Sequence, residues 1–219
     1  KLNCGIEISR IPLYKTKGMS VEDTIGILKD DLSDFKNRRT LHAMFSDVNI
    51  SSADYELRAI SQKRFIQSFE VAKGINADTV LFHTGYKGTK HYGSIKNFKK
   101  KFVDFWLDFV KEFEKSDMIA VIENVFETEP DFNLELFEKI NSPNFKLALD
   151  TGHVNLYAHK TKVSDWIKKF GSNLYHMHIH NNFRENDDHS NLLNGTLDFK
   201  EILYCLKQDN INPSMVLEM

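Results

Sequence analysis

The chain has 219 residues, 41% hydrophobic and 27% charged, which is the balance of a globule with a buried core and excludes a disordered, collagenous or coiled-coil chain. Its 29 Lys and Arg against 31 Asp and Glu leave a net charge of -2, so bulk electrostatics call for no polyanionic partner and nucleic acid would need a local patch. No apolar run approaches the roughly 20 residues that span a bilayer, and the N-terminus lacks the basic-then-apolar order of a signal peptide. Cys4 and Cys205 stand near opposite ends without a CxxC, which suits a reducing compartment and predicts a cytoplasmic setting.

Short apolar runs alternate with longer stretches whose apolar residues recur every three or four positions, the mark of βα units. In chain order, strands are predicted at 5–9, 41–45, 79–83, 119–124, 146–150, 174–180 and 215–218. Ser20 with Asp23 and Asp198 with Glu201 have capping-box spacing, and Gly74 and Gly171 fall where left-handed C-terminal caps belong. The clearest helical stripe is Ile95, Phe98, Phe102, Trp106, Phe109 and Phe113, with Lys99, Lys100 and Lys101 read as a solvated face beside or behind it. With 10 Gly and 4 Pro that never cluster into a linker, residues 1–219 read as one domain. Strictly alternating βα units close into a (β/α)8 barrel or spread into a doubly wound sheet. Seven strands are visible where a barrel has about eight, so a first βα unit, a closing helix, or both are expected outside this sequence.

The predicted strands finish on metal-competent side chains: His42, His83, Glu123, Asp150, His178 and Glu218. In a barrel the C-terminal strand ends share one mouth, so residues scattered from 42 to 218 converge. Several carboxylates gathered there repel one another unless a cation joins them, and carboxylates mixed with imidazoles suit a divalent metal. His176, His178 and His180 share one strand face, of which one or two reach a common ion; His176 reads as packed behind it. His91 and His159 read as surface residues.

DTGH at 150–153, HIHNN at 178–182 and the DxH of Asp187 and His189 resemble the xylose isomerase-like, AP endonuclease family 2 TIM barrels, and the resemblance runs from GIEIS to VLEM. It implies a core ion held by Glu123, Asp150, His178 and Glu218. Endonuclease IV-like members add ligands at positions matching His42, His83, His153, Asp187 and His189, so the resemblance implies one to three Zn or Mn ions. Two departures concern the loop after the HxH: Leu193 and Asn194 stand where Gly-Glu is usual before Gly195, and Asn181 replaces an Asp.

Two chemistries suit such a site. A sugar or sugar-phosphate isomerase or epimerase needs a cation to polarise oxygens and carboxylates to move a proton beside a carbonyl. Similarity to ketose 3-epimerases assigns the proton pair to Glu123 and Glu218, and substrate contacts to His153 and Arg184. The alternative is a zinc-dependent AP endonuclease, with nucleic acid as partner, phosphate contacts from the lysines between 87 and 101, above all Lys87 and Lys90, and Phe45 stacking on a base. The net negative charge favours the small sugar, whose phosphate Lys87 would meet at the mouth.

Overall fold

The computed structural model describes residues 4–9, 11, 19–88 and 94–219; Lys90 and His91 lie outside them. Seven strands, β1 (Ile6–Ile8), β2 (Arg39–His42), β3 (Thr79–His83), β4 (Ile119–Glu123), β5 (Phe145–Asp150), β6 (Leu174–Ile179) and β7 (Ser214–Leu217), pair in sequence order, each parallel to the next. Between them run α1 (Val21–Asp31), α2 (Tyr55–Gly74), α3 (Ile95–Ser116), α4 (Asp131–Ile140), α5 (Thr151–Tyr157), α6 (Val163–Phe170) and α7 (Phe199–Gln208). The sheet rolls into a nearly closed TIM barrel, and Glu7 on β1 meets His178 on β6 across the interior.

Strand periodicity divides the core in two. Outward-facing Val80, Phe82, Ala120 and Ile122 join the large cluster beneath the helices, while inward-facing Leu81, Val121 and Ala148 form a small apolar plug inside the barrel. The next inward position on those three strands is His83, Glu123 or Asp150, so the same alternation that seats the plug lifts the polar residues one layer above it. The pairings His83 with Glu123 and Asp150 with His178 hold that layer level.

On α3, Phe98, Phe102, Trp106, Phe109 and Phe113 are buried against the sheet, each stabilising the barrel by about 1.5–3 kcal/mol. Two expectations change there. Ile95 is exposed in the first turn, and Lys99 is buried, its ammonium paired with Glu135 and 4.4 Å from the Phe132 ring centre. Lys100 pairs with Asp104 at 2.6 Å and Lys101 donates to the Ser52 carbonyl at 3.2 Å, so these lysines serve the fold.

The caps at Ser20 and Asp198 form as expected, the former as a full capping box, while Gly171 at the end of α6 has a positive φ of 54° but a ψ of -136°, a conformation reserved for glycine rather than the left-handed helical cap expected. Gly74 is a correction. It ends α2 without positive φ, and its missing side chain instead makes room for Ile25, whose Cδ1 would lie 2.4 Å from a Cβ there. β2 stops at His42, short of Phe45: the Ala43 N–H still makes the ladder bond to Leu81 O of β3 at 2.8 Å, but the Met44 amide turns away to Ser68 Oγ at 3.1 Å. Among the described residues no helix is long and apolar enough to cross a membrane.

Candidate metal centre

Glu123, Asp150, His178 and Glu218 bring one ligand atom each to within 4.8 Å of one another at the mouth of the barrel. His178 is the hub: its Nδ1 lies 2.7 Å from Glu123 Oε1, 2.9 Å from Glu218 Oε2 and 3.9 Å from Asp150 Oδ2. Burial alone would raise the Glu123 carboxyl; the charges of His178 and His83 beside it hold it well below the carboxylate range. Asp150 is fixed from both sides. Its backbone N–H donates to Asn124 Oδ1 at 2.9 Å, while its side chain caps α5 by accepting from the His153 N–H at 2.6 Å.

One flank is built from β2 and β3. His83 Nε2 is 2.8 Å and His42 Nε2 3.8 Å from Glu123 Oε2, and the three residues form a second group with ligand spacing. Burial, followed by the neighbouring His83, pushes the His42 imidazole down to about 4.

The opposite flank gathers His153, His180, Asp187 and His189. His153 Nε2 and His189 Nε2 each lie 3.3 Å from Asp187 Oδ2, and the His180 and His189 rings stack with centroids 4.0 Å apart. His180 Nε2 is 3.1 Å from both Asp150 oxygens. The DTGH motif needs its glycine here, because a Cβ on Gly152 would sit 2.0 Å from His180 Cε1. Burial would lower His153, but Asp150 and Asp187 carry it up to about 10; the Asp187 hydrogen bond lifts His189 to about 9.

The loop that carries Asp187 and His189 is tied down by Asn181, one of the two sequence departures. Asn181 uses an amide where an Asp would only accept: Nδ2 donates to Leu192 O at 2.9 Å and Leu197 O at 3.2 Å, while Oδ1 accepts from the Leu197 N–H at 3.0 Å. Gly195 lies so close that a Cβ would come within 2.2 Å of Asn181 Oδ1. Leu193 is 98% exposed at the tip, so that departure touches nothing in the site.

A cavity of about 410 Å³ opens over these groups, lined by Phe45, His83, Lys87, Phe126, His153 and Asp187 among others. The expected residues thus meet in one place, with one exception. Arg184 donates to Asn155 Oδ1 at 3.0 Å and borders a separate cleft of about 320 Å³ with Thr196 and Glu201. One residue escaped the sequence reading of the site, and another was left open in it. Glu7 accepts from His178 Nε2 at 2.7 Å, and its signal was a lone carboxylate between two isoleucines of a strand; His180 joins the Asp187 group, and its signal was the second His of HIHNN. Beside the mouth, buried Glu127 accepts from the Thr84 hydroxyl and from the Val125 N–H at 2.7 Å, and burial raises its carboxyl.

Both Glu123 oxygens and His178 Nδ1 are buried and lack hydrogen-bond partners among the described residues, although they stand in contact with one another. Buried polar atoms are normally paired, so acceptors aimed at a common point without hydrogen-bond geometry fit a cation. The oxygen and nitrogen donor set suits Zn or Mn.

A family model described as xylose isomerase-like TIM barrel matches residues 13–219. Proteins MJ1311 and MJ1614 of Methanocaldococcus jannaschii are 24% and 28% identical over 77% and 78% of this chain, which spans 59% and 66% of their lengths. Among solved structures, a D-tagatose 3-epimerase-like protein superposes with a TM-score of 0.81 at 21% identity, over 96% of this chain and 80% of that one. The TTHB071 protein from Thermus thermophilus soaked with zinc chloride gives 0.79 at 18% identity, over 97% and 81%. A D-psicose 3-epimerase determined with D-fructose gives 0.75 at 17% identity, over 96% and 73%. With residues 13–219 matched by the family model, the chain belongs to the xylose isomerase-like TIM barrel family.

Proposed function

We propose that this protein is a divalent-metal-dependent sugar or sugar-phosphate isomerase or epimerase that transfers a proton next to a carbonyl. One observation carries the reading: Glu123 and Glu218, from well-separated strands, stand 2.7 and 2.9 Å from the same His178 nitrogen at the floor of a small mouth. Glu123, Asp150, His178 and Glu218 would hold the ion, which when bound polarises a substrate's carbonyl and hydroxyl oxygens. Glu218, 29% exposed, has the freedom to exchange a proton with substrate, while Glu123, 1% exposed, faces it from the opposite side. Phe45 and Phe126 offer apolar faces for a sugar ring, and His153 a contact for a hydroxyl. The cavity of about 410 Å³ falls in the range of small-molecule pockets, about 300–1,000 Å³. The epimerases among the similar structures support the same substrate class. All the strands serve this mouth, which supports reading residues 1–219 as one domain, and free Cys4 and Cys205 suit a cytoplasmic setting.

A zinc-dependent AP endonuclease is the second reading, favoured by the three adjoining groups of ligands. Against it, lysines 99–101 are committed to Glu135, Asp104 and the Ser52 carbonyl. The deciding experiment incubates the metal-loaded protein with a ketose panel in deuterated water and, separately, with abasic-site duplex DNA. Solvent deuterium should enter a ketose, and Glu218→Gln should abolish that exchange while metal is retained. Strand cleavage without exchange into any ketose establishes the second reading instead.

A further inference from the structure

Behind His178, away from the four-residue cluster, lies another carboxylate with two imidazoles: Glu7, His176 and His178. Glu7 stands mid-strand on β1 with its side chain 5% exposed. Its Oε1 accepts from His178 Nε2 at 2.7 Å, and its Oε2 is 3.1 Å from His176 Nε2. His176 Nδ1 lies 2.7 Å from Ser214 Oγ, which reaches the Tyr175 carbonyl at 3.3 Å. The contacts therefore run from β1 through β6 to β7 behind the ligand.

The two nitrogens of His178 differ in kind. Nε2 makes a true hydrogen bond to Glu7, whereas Nδ1 contacts Glu123 and Glu218 without hydrogen-bond geometry. Glu7 accepts the Nε2 proton and keeps it there, so the proton an arriving cation displaces is the one on Nδ1, whose lone pair is then directed at the cluster. A ligand histidine held this way by a carboxylate is fixed in tautomer and ring orientation and made more basic. We propose that Glu7 is a positioning residue for the metal centre, presetting His178 Nδ1 as a ligand, with His176, itself held by Ser214, in contact with its second oxygen. This rests on the reading of the four-residue cluster as the ion's site.

The test is affinity for Zn²⁺ and Mn²⁺ alone, measured by competition with a chromophoric chelator, alongside melting of the metal-free protein. Glu7→Gln keeps the shape and removes the charge. Its affinity should fall about 10–100-fold, with the metal-free melt little changed. Ser214→Ala, two contacts further away, should lose less than Glu7→Gln. A Glu7→Gln protein that binds both metals as tightly as wild type, or that only melts earlier, overturns the role of Glu7 and leaves the metal site standing. A wild-type protein that binds neither metal overturns both. Should Glu7→Gln not fold, Glu7→Asp withdraws the carboxylate by about 1.5 Å, one carbon–carbon bond, and the same loss is expected; wild-type affinity there overturns the proposal equally.

Discussion

The two flanks of the mouth use the same residue type in opposite electrical states. On the β2–β3 flank, His42 is buried and pushed down to about 4, so at neutral pH it keeps the Nδ1 proton that it donates to the Ala43 carbonyl and its Nε2 lone pair is free for a cation. On the facing flank, His153 and His189 are carried up to about 10 and about 9 and lie in ion pairs with Asp187. Burial and the neighbouring His83 lower His42, and the carboxylates are shared unequally. Glu123 answers His42, His83 and His178 together, whereas Asp150 and Asp187 both address His153. An ion arriving at the first flank displaces no proton from His42; one arriving at the second must displace protons from His153 and His189. The first flank is preset for metal, and the second neutralises itself without one.

Asp150 touches the hub and the second flank, so its removal should break the comparison altogether. Asp150→Ala leaves His153, His178 and His180 short of a buried counter-charge, a loss of about 3–5 kcal/mol, and metal content by elemental analysis should collapse. Unchanged content would remove Asp150 from the ligand set. Gly152→Ala is more selective. The new methyl displaces His180, which should cost about 1–3 kcal/mol and empty the second flank, while ions held by Glu123 remain; loss of all metal would show that the flanks are not separable.

A change of pH sharpens the contrast with no mutation. His153 rises from an ordinary 6.5 to about 10, so its ion pairs stabilise the metal-free protein fully below 6.5 and fade as pH climbs through about 10. His42 falls from 6.5 to about 4, so its contribution is present above 6.5 and is lost as pH falls through about 4. Metal at the second flank should therefore tighten with rising pH, by about tenfold per unit for each proton displaced; the His189 share levels off above about 9 and the His153 share above about 10. Calorimetric titration in zinc should show this stoichiometric step at alkaline pH; a pH-independent stoichiometry would mean that both flanks load alike.

Much of this was legible in the sequence because the barrel repeats one rule. From β2 onward the strands carry their polar residues at or beside the C-terminal end, and the period of two fixes which side each faces, so Glu123, Asp150 and His178 could be placed from the chain alone. What escaped depended on the approach of distant strands. Glu7 meets His178 only because β1 and β6 face each other across the barrel, 171 residues apart in sequence. Arg184 follows the HxH at the family's spacing, yet its left-handed backbone, φ 68°, turns it toward Asn155. Gly74 looked like a cap by position, and its use is set by Ile25 on another helix.

The smallest effect tests the outer rim, where the comparison becomes one of charge. Lys87 joins His83 and Phe45 on one side of the cavity, and Asp187 joins His153 on the other, so a phosphorylated sugar has a preferred direction, its phosphate toward Lys87. Lys87 is exposed, and a single pair in water is worth about 0.2–1 kcal/mol, so Lys87→Ala should raise KM for a phosphorylated ketose up to about fivefold. Neither kcat nor the KM of the unphosphorylated sugar should move, because the lysine has no part at the proton-transfer pair. An equal rise for both sugars would mean that Lys87 shapes the cavity wall rather than meeting phosphate. With abasic duplex DNA as the true substrate, the variant would instead flatten the salt dependence of binding by about one unit of slope, which a sugar bearing one phosphate cannot mimic in kcat.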